Sequence, residues 1–168
     1  PRPLLLAGAK NLERLGASFI VIPCNTAHYF HKAIQDSVGI RVLNIMDEVA
    51  GHLSGKAQRV GILASTGTLT TRLYENALAR CGIETVLPQG TDQDKVMRAI
   101  YAVKAGELDI GKEIALEQGR KLVAAGAQAV VAGCTEIPLV LKEGDLEVTV
   151  IDATTILAQS AVRFAIED

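Results

Sequence analysis

One short pattern occurs twice in this sequence, 110 residues apart, and contains a cysteine each time. The first copy is GASFIVIPCNT at 16–26, and the second is GAQAVVAGCTE at 126–136. Each copy has a glycine of the kind that ends a helix, then an apolar run that is too short for a helix and is typical of a buried parallel strand. Because open α/β sheets bind ligands at the carboxyl ends of their strands, Cys24 and Cys134 are candidate site residues.

Helices and strands alternate along the whole sequence, which predicts an α/β fold built on parallel sheets. A second repeat supports two lobes, because VLNIMD at 42–47 is similar to VTVID at 148–152, and each ends in an aspartate expected to cap the next helix. We expect two pseudo-symmetric lobes, each a parallel sheet flanked by helices, with the site in the cleft between them. The first lobe is predicted to comprise 1–50 plus 148–168, and the second 51–147.

The predicted segments are short, as expected for buried strands covered by amphipathic helices. Strands are predicted at 18–23, 41–46, 60–64, 84–87, 129–133 and 148–151. Helices are predicted at 3–15, 26–36, 47–54, 69–81, 92–104, 108–125, 137–142 and 153–166.

The two copies also differ in what precedes them. The strand that begins near Val60 lies 74 residues before Cys134, and the same spacing before Cys24 would fall about 50 residues ahead of Pro1. The first lobe is therefore expected to lack an opening strand, a helix and a second strand. Such a lobe would expose a sheet edge and an apolar helix face, so we expect this chain to be inactive or to associate.

Composition restricts the possible partners. The formal net charge is -2 with no long run of one sign, which argues against a nucleic-acid partner. No apolar run approaches the roughly 18 residues that a membrane span needs, so no membrane partner is expected. Three cysteines without disulfide-scaffold spacing indicate a reducing compartment, and we expect a cytoplasmic protein.

The two matched cysteines suit proton transfer at carbon. Each precedes a predicted helix, whose N-terminus is expected to lower the thiol pKa, so that one thiolate and one thiol form a base and an acid. Groups on opposite sides of one carbon can racemise it. The alternative is that each cysteine is a small buried apolar residue, which is less favoured for two at equivalent strand ends. Cys81, at a predicted helix end, has no matched partner and is interpreted as structural.

Polar residues follow both cysteines. Asn25, Thr26 and Thr135 offer hydrogen-bond donors to a substrate carboxylate, although these residue types also cap helices. Glu136 begins a predicted helix, where it either caps the helix or orients a substrate ammonium and tunes Cys134. A further loop, Thr66-Gly67-Thr68, joins a strand to a helix and can form an anion cradle.

Two motifs resemble those of a known family. PCNTAH at 23–28 and GCTEIP at 133–138 are similar to the paired signatures of the aspartate/glutamate racemase superfamily, specifically its cofactor-independent aspartate racemase branch. The resemblance implies that Cys24 and Cys134 are the catalytic residues, each moving the α-proton on its own face of an amino-acid substrate. It also implies that no pyridoxal phosphate or other cofactor takes part. We expect a homodimer.

The resemblance assigns further roles. It implies that Thr66, Gly67 and Thr68 hold the α-carboxylate, and that Lys104 reaches the side-chain carboxylate of the substrate. From the sequence alone, Lys104 would be a surface lysine near a helix end. A Gly-rich loop and an arginine of the family have no counterpart in this chain, and Arg72 has no match in the family.

Several alternatives remain. A dicarboxylate isomerase or decarboxylase of the same superfamily is less favoured, because such relatives often lose one of the cysteines. A non-catalytic amino-acid-binding protein, or a thiol redox protein with a disulfide between Cys24 and Cys134, belongs to a different functional class. His28 and His31 lie close enough in sequence to suggest a metal site, but one helix face supplies too few ligands, and we expect no metal. His28 is expected in or behind the pocket wall.

Overall fold

The structure, a computed structural model, describes residues 1–167, with side chains to residue 166. Asp168, the last residue of the predicted first lobe, lies outside the described residues. The strands are β1 (Phe19–Ile20), β2 (Arg41–Val42), β3 (Arg59–Leu63), β4 (Glu84–Val86), β5 (Ala129–Ala132) and β6 (Thr149–Asp152). The helices are α1 (Arg2–Arg14), α2 (His31–Gln35), α3 (Ile45–Leu53), α4 (Thr66–Thr70), α5 (Leu73–Arg80), α6 (Thr91–Lys104), α7 (Leu108–Ala124), α8 (Ile137–Val140) and α9 (Ala153–Glu167), and a 3₁₀ helix spans Thr26–Phe30.

The described strands form two parallel sheets, which confirms the predicted α/β class. The smaller sheet pairs β1 with β2, and the larger has the order β4-β3-β5-β6. Gly61 pairs with Val130 and Val130 with Val150, so the carboxyl ends of β3, β5 and β6 lie at one edge of the larger sheet. This edge carries the loop that contains Cys134.

Strand residues alternate between two cores, as the period of two in a strand requires. Val60 and Ile62 of β3 pack on one face with residues of α3, α5 and α9. Leu63 of β3 and Val130 of β5 face the opposite side, with residues of α6, α7 and α8. A separate small cluster joins α1, β1, α2 and β2 through Ala9, Ile20, Ile34 and Val42.

The predicted division into lobes is wrong for one strand. Residues 149–152 were assigned to the first lobe, whereas β6 is hydrogen-bonded to β5 in the larger sheet. α9 then packs on α3, which belongs to the predicted segment 1–50. β6 pairs with β5 over four residues, whereas a strand of the smaller sheet has only two residues to pair with. The larger sheet therefore offers β6 more backbone hydrogen bonds. α3 and α9 together cover one face of the larger sheet.

Two of the predicted segments differ from the observed elements. The predicted strand 41–46 ends at Val42 because Asn44 caps α3, its side-chain oxygen accepting from the amide of Met46 at 3.0 Å. Asp47, the expected cap, lies in the first turn of that helix. The predicted helix 69–81 is divided at Arg72, which has a φ of 54°.

The other predicted cap is confirmed, since Asp152 accepts from the amides of Thr154 and Thr155 at the start of α9. Among the described residues, no helix is both long and apolar enough to cross a membrane.

Candidate functional site

Cys134 follows β5 and lies half-buried above the second core. Its thiol donates to the Glu136 carboxylate, with Sγ 2.9 Å from Oε2. Burial first, and then this carboxylate, raise the pKa of Cys134 to about 12. The expectation that a helix N-terminus lowers this pKa is therefore wrong. The following helix α8 has only 4 residues, so few peptide dipoles are summed against a buried site and a neighbouring carboxylate.

Glu136 connects Cys134 to a cation. Its Oε2 also accepts from the Thr135 hydroxyl at 3.1 Å, and its Oε1 lies 3.6 Å from Nζ of Lys104. Burial raises the pKa of Glu136, but the hydrogen bonds from Cys134 and Thr135 together with the Lys104 charge outweigh burial and leave that pKa lowered. At neutral pH the group is a carboxylate beside a thiol. Lys104 lies on the surface, with 55% of its side chain exposed, and its ammonium group reaches the Glu136 carboxylate.

Cys24 lies after β1 with its side chain exposed. Its backbone is held by His28, whose Nδ1 lies 2.9 Å from the Cys24 carbonyl oxygen, while His28 Nε2 accepts from the amide of Ile45 at 3.2 Å. An imidazole with its proton on Nδ1 satisfies both contacts. Burial lowers the pKa of His28, so the ring is neutral at pH 7. His28 therefore fixes the Cys24 loop to the start of α3, and its place in or behind a pocket wall stays a prediction.

Asn25 is buried, with 3% of its surface exposed, although it adjoins an exposed cysteine. The hydroxyl of Tyr74 donates to its Oδ1 at 2.5 Å. Tyr74 also lies against the second cysteine loop, because a Cβ added to Gly133 would lie 2.8 Å from the Tyr74 ring. One buried ring therefore contacts the residues adjoining both Cys24 and Cys134.

Three hydroxyls connect the segment after Cys24 to the loop that follows β3. Oγ1 of Thr26 lies 2.9 Å from Oγ of Ser65 and 2.8 Å from Oγ1 of Thr68, and the latter two are 3.1 Å apart. Thr68 is fully buried, and its amide donates to the Ser65 carbonyl. Both its amide and its hydroxyl are engaged, so Thr68 is a structural connection here, and the predicted carboxylate contact through it does not fit this geometry.

Thr66 and Gly67 are exposed beside these hydroxyls. α6 supports this loop from below, where Gln93 donates to the Ala64 carbonyl at 3.0 Å and to the Thr66 hydroxyl at 3.2 Å. A Cβ at Gly67 would lie 3.1 Å from the Thr26 methyl group, so the backbone approaches the first segment closely. The amide of Thr66 donates to the sulfur of Met97 at 3.2 Å, so one donor of the predicted anion cradle is already engaged.

No group of three His, Cys, Asp or Glu side chains converges to hold a metal within the part of the chain that the structure describes. The imidazoles of His28 and His31 are stacked with centroids 5.8 Å apart, and Nε2 of His31 lies 2.8 Å from the Val42 carbonyl oxygen. Both imidazole rings therefore hydrogen-bond to the backbone. Cys81 is exposed at the end of α5 rather than packed in a core.

The sequence model of the Asp/Glu/Hydantoin racemase family matches residues 1–161. The chain belongs to this family. It is 27% identical to the broad specificity amino-acid racemase RacX of Bacillus subtilis, over 94% of this chain and 69% of that protein. The family assignment supports an amino-acid racemase.

Solved structures agree with the family assignment. An aspartate racemase homologue from Pyrococcus horikoshii OT3 superposes with a TM-score of 0.86 at 30% identity, covering 98% of this chain and 74% of that one. The Picrophilus torridus aspartate racemase gives a TM-score of 0.86 at 30% identity, covering 98% and 69%. The predicted fold class and family are thereby confirmed.

Sequence reasoning missed two groups that shape this region. Tyr74 lies within the predicted helix 69–81, and nothing in the neighbouring sequence indicates that its hydroxyl reaches Asn25. Ser65 directly precedes the Thr66-Gly67-Thr68 loop, and no role is predicted for it. A buried tyrosine needs a hydrogen-bond partner, which was the available signal for Tyr74.

Proposed function

We propose that this chain is a cofactor-independent racemase that interconverts L- and D-aspartate by proton transfer between Cys24 and Cys134. The observation that carries the proposal is that Tyr74 joins the two loops predicted from the repeat, with its hydroxyl on Asn25 and its ring against Gly133. The Thr26 hydroxyl also joins the first of these loops to Thr68. An acid and a base from two equivalent loops can then act on opposite faces of one carbon. The Picrophilus torridus aspartate racemase supports aspartate as the substrate.

The proton transfers balance with two thiol groups in opposite protonation states. Cys24, as the thiolate, takes the α-proton from one face, and the C–H electron pair moves towards the substrate carboxylate. Cys134, which burial and Glu136 hold as the thiol, gives its proton to the opposite face. The product leaves with Cys24 protonated and Cys134 ionised, which is the starting state for the reverse reaction. Neither direction consumes a cofactor.

The charged groups favour a zwitterion with an additional carboxylate. Glu136 is an acceptor for the substrate ammonium, and Lys104 is a cation within reach of Glu136 for the side-chain carboxylate. Both groups already interact, so a substrate bearing both charges replaces one ion pair with two. We propose that the α-carboxylate is held by Asn25, the Thr26 segment, Thr135 and the Thr66-Gly67 loop. In that loop the Gly67 amide is the proposed donor, because the Thr66 amide donates to the Met97 sulfur.

The decisive experiment measures racemisation of aspartate, glutamate and alanine by chiral chromatography. We expect activity with aspartate to exceed that with alanine, and Cys24→Ser and Cys134→Ser each to abolish it, because each direction needs both groups. Cys81→Ser is the matched control and should retain full activity. Wild-type activity in either single serine variant would contradict the two-thiol mechanism.

Proximity of the thiols is tested separately. In a Cys81→Ser background, a short bifunctional thiol reagent should cross-link Cys24 to Cys134 within one chain. Reagent attached to each cysteine singly, with no cross-linked peptide, would contradict the shared site. Light scattering tests the proposed homodimer, and the absorbance spectrum of the purified protein tests whether pyridoxal phosphate is absent.

A further inference from the structure

Tyr74 has a polar group at a fully buried position. The residue lies on α5 with 0% of its surface exposed, and its hydroxyl donates to Oδ1 of Asn25 at 2.5 Å. Burial first raises the pKa of Tyr74, and the nearby Cys134 and Asp152 add to the effect. The hydroxyl therefore keeps its proton at all working pH values and remains available as a donor.

A permanent donor fixes which way the Asn25 carboxamide points. If the carbonyl oxygen accepts from Tyr74, the NH₂ group must point away from the ring. That nitrogen is buried and has no hydrogen-bond partner among the described residues. An unpaired buried donor is unfavourable, because it has lost its hydrogen bonds to water, and a group that accepts its hydrogen bond removes that cost. A substrate carboxylate beside Cys24 would be such an acceptor once it displaces the side chains that close this nitrogen off from solvent.

The ring of Tyr74 constrains the second loop at the same time. The ideal Cβ of an alanine at Gly133 would lie 2.8 Å from Cε2 of Tyr74 and 3.2 Å from Cβ of Ala64. Gly133 directly precedes Cys134, and its amide donates to the Leu63 carbonyl at 2.8 Å. Movement of the ring would therefore displace the Cys134 loop as well as Asn25.

We propose that Tyr74 is a positioning residue that orients the Asn25 carboxamide with its NH₂ group towards the substrate carboxylate and keeps the Cys24 and Cys134 loops in register. The inference rests on the proposed racemase function for the identity of the ligand. It does not rest on it for the orientation of the amide, which is a property of the free protein. Tyr74 itself does not contact the substrate.

The orientation is tested by NMR, without any activity measurement. The side-chain ¹⁵N–¹H₂ pair of Asn25 is assigned by its absence from Asn25→Ala. Tyr74→Phe keeps the ring and removes only the hydroxyl, so this pair should shift and broaden as the amide becomes free to rotate. Tyr101→Phe, which removes the hydroxyl of an exposed tyrosine, is the control and should leave the pair in place. An unchanged Asn25 pair in Tyr74→Phe would overturn the inference.

The link to substrate is tested by kinetics. We expect Tyr74→Phe to raise the KM for aspartate about tenfold, the equivalent of one lost hydrogen bond, while kcat changes less. Asn25→Ala should have a similar effect, and the double variant should be no worse than the poorer single variant, because both remove the same interaction. Multiplying effects would overturn the proposed coupling. A wild-type protein that racemises no amino acid would refute the proposed function, while the NMR result still decides the orientation.

Discussion

Replacement of Glu136 by glutamine removes the negative charge beside the thiol of Cys134. The glutamine side chain still has an oxygen that can accept the hydrogen bond from the thiol. In the protein, burial and the Glu136 carboxylate raise the pKa of Cys134 from 9.0 to about 12. The two groups are 2.9 Å apart, and Glu136 is largely shielded, with 17% of its side chain exposed. A neighbouring like charge shifts a pKa by about one unit or more, so Glu136→Gln should lower the pKa of Cys134 by about one unit.

The lower pKa has a measurable consequence, because only the thiolate is alkylated. At pH 8 a fall of about one unit raises the thiolate fraction, and therefore the rate of alkylation of Cys134, about tenfold. Iodoacetamide labelling followed by peptide mass spectrometry measures the rate, with Cys24 in the same digest as the internal reference. Racemisation should fall, because Cys134 loses the carboxylate that keeps it protonated. Alkylation of Cys134 at an unchanged or slower rate would refute the assignment of Glu136.

Three further changes test the supports of the site. Lys104→Met should raise the KM for aspartate about tenfold and that for alanine very little. One charge-assisted contact from this half-exposed lysine is worth about 1.4 kcal/mol, near the lower end of the usual range. Initial-rate kinetics with both substrates will show whether the two KM values separate. Gly133→Ala should destabilise the protein by about 1–3 kcal/mol in urea unfolding because its Cβ overlaps the Tyr74 ring, whereas Gly8→Ala, where nothing lies within 4 Å, should not destabilise it. The pKa of His28 is lower in the folded protein than the value of 6.5 for the unfolded chain, so the free energy of unfolding should fall as the pH drops below about 6.5. His28→Gln should weaken this pH dependence in urea unfolding. An identical pH profile in the variant would contradict the neutral ring.

Much of the fold follows from local sequence signals. The apolar runs at 60–64 and 129–133 are bounded by loops and fit buried strands, and the structure has β3 and β5 within a residue of these positions. Asp152 caps the helix after its strand, as predicted. Where capping competes with strand pairing, the pattern misleads, since Asn44 starts α3 at Ile45 and ends the predicted strand early. Sheet order is a long-range property, so the pairing of β6 with β5 could not be found from the repeat alone.

The candidate site divides in the same way. The positions of Cys24 and Cys134 after their strands depend on chain order and could be predicted from the repeat. The raised pKa of Cys134 depends on burial and on a carboxylate two residues away, which oppose the helix-terminus effect that the sequence indicates. The contact of Tyr74 with Asn25 joins residues 49 apart in sequence. Such contacts arise only when the lobes pack, and one sequence carries no local signal for them.

Exchange of the α-proton with solvent tests the central claim most directly. In D₂O, wild-type protein should convert each enantiomer of aspartate to its mirror image, with deuterium appearing in the product at a rate equal to racemisation. Cys24→Ser and Cys134→Ser should each abolish racemisation, and each should retain exchange, if any, with only one enantiomer, opposite in the two variants. NMR of the substrate with chiral analysis measures both quantities. Exchange with both enantiomers in either variant would contradict a mechanism that divides the two faces of the α-carbon between Cys24 and Cys134.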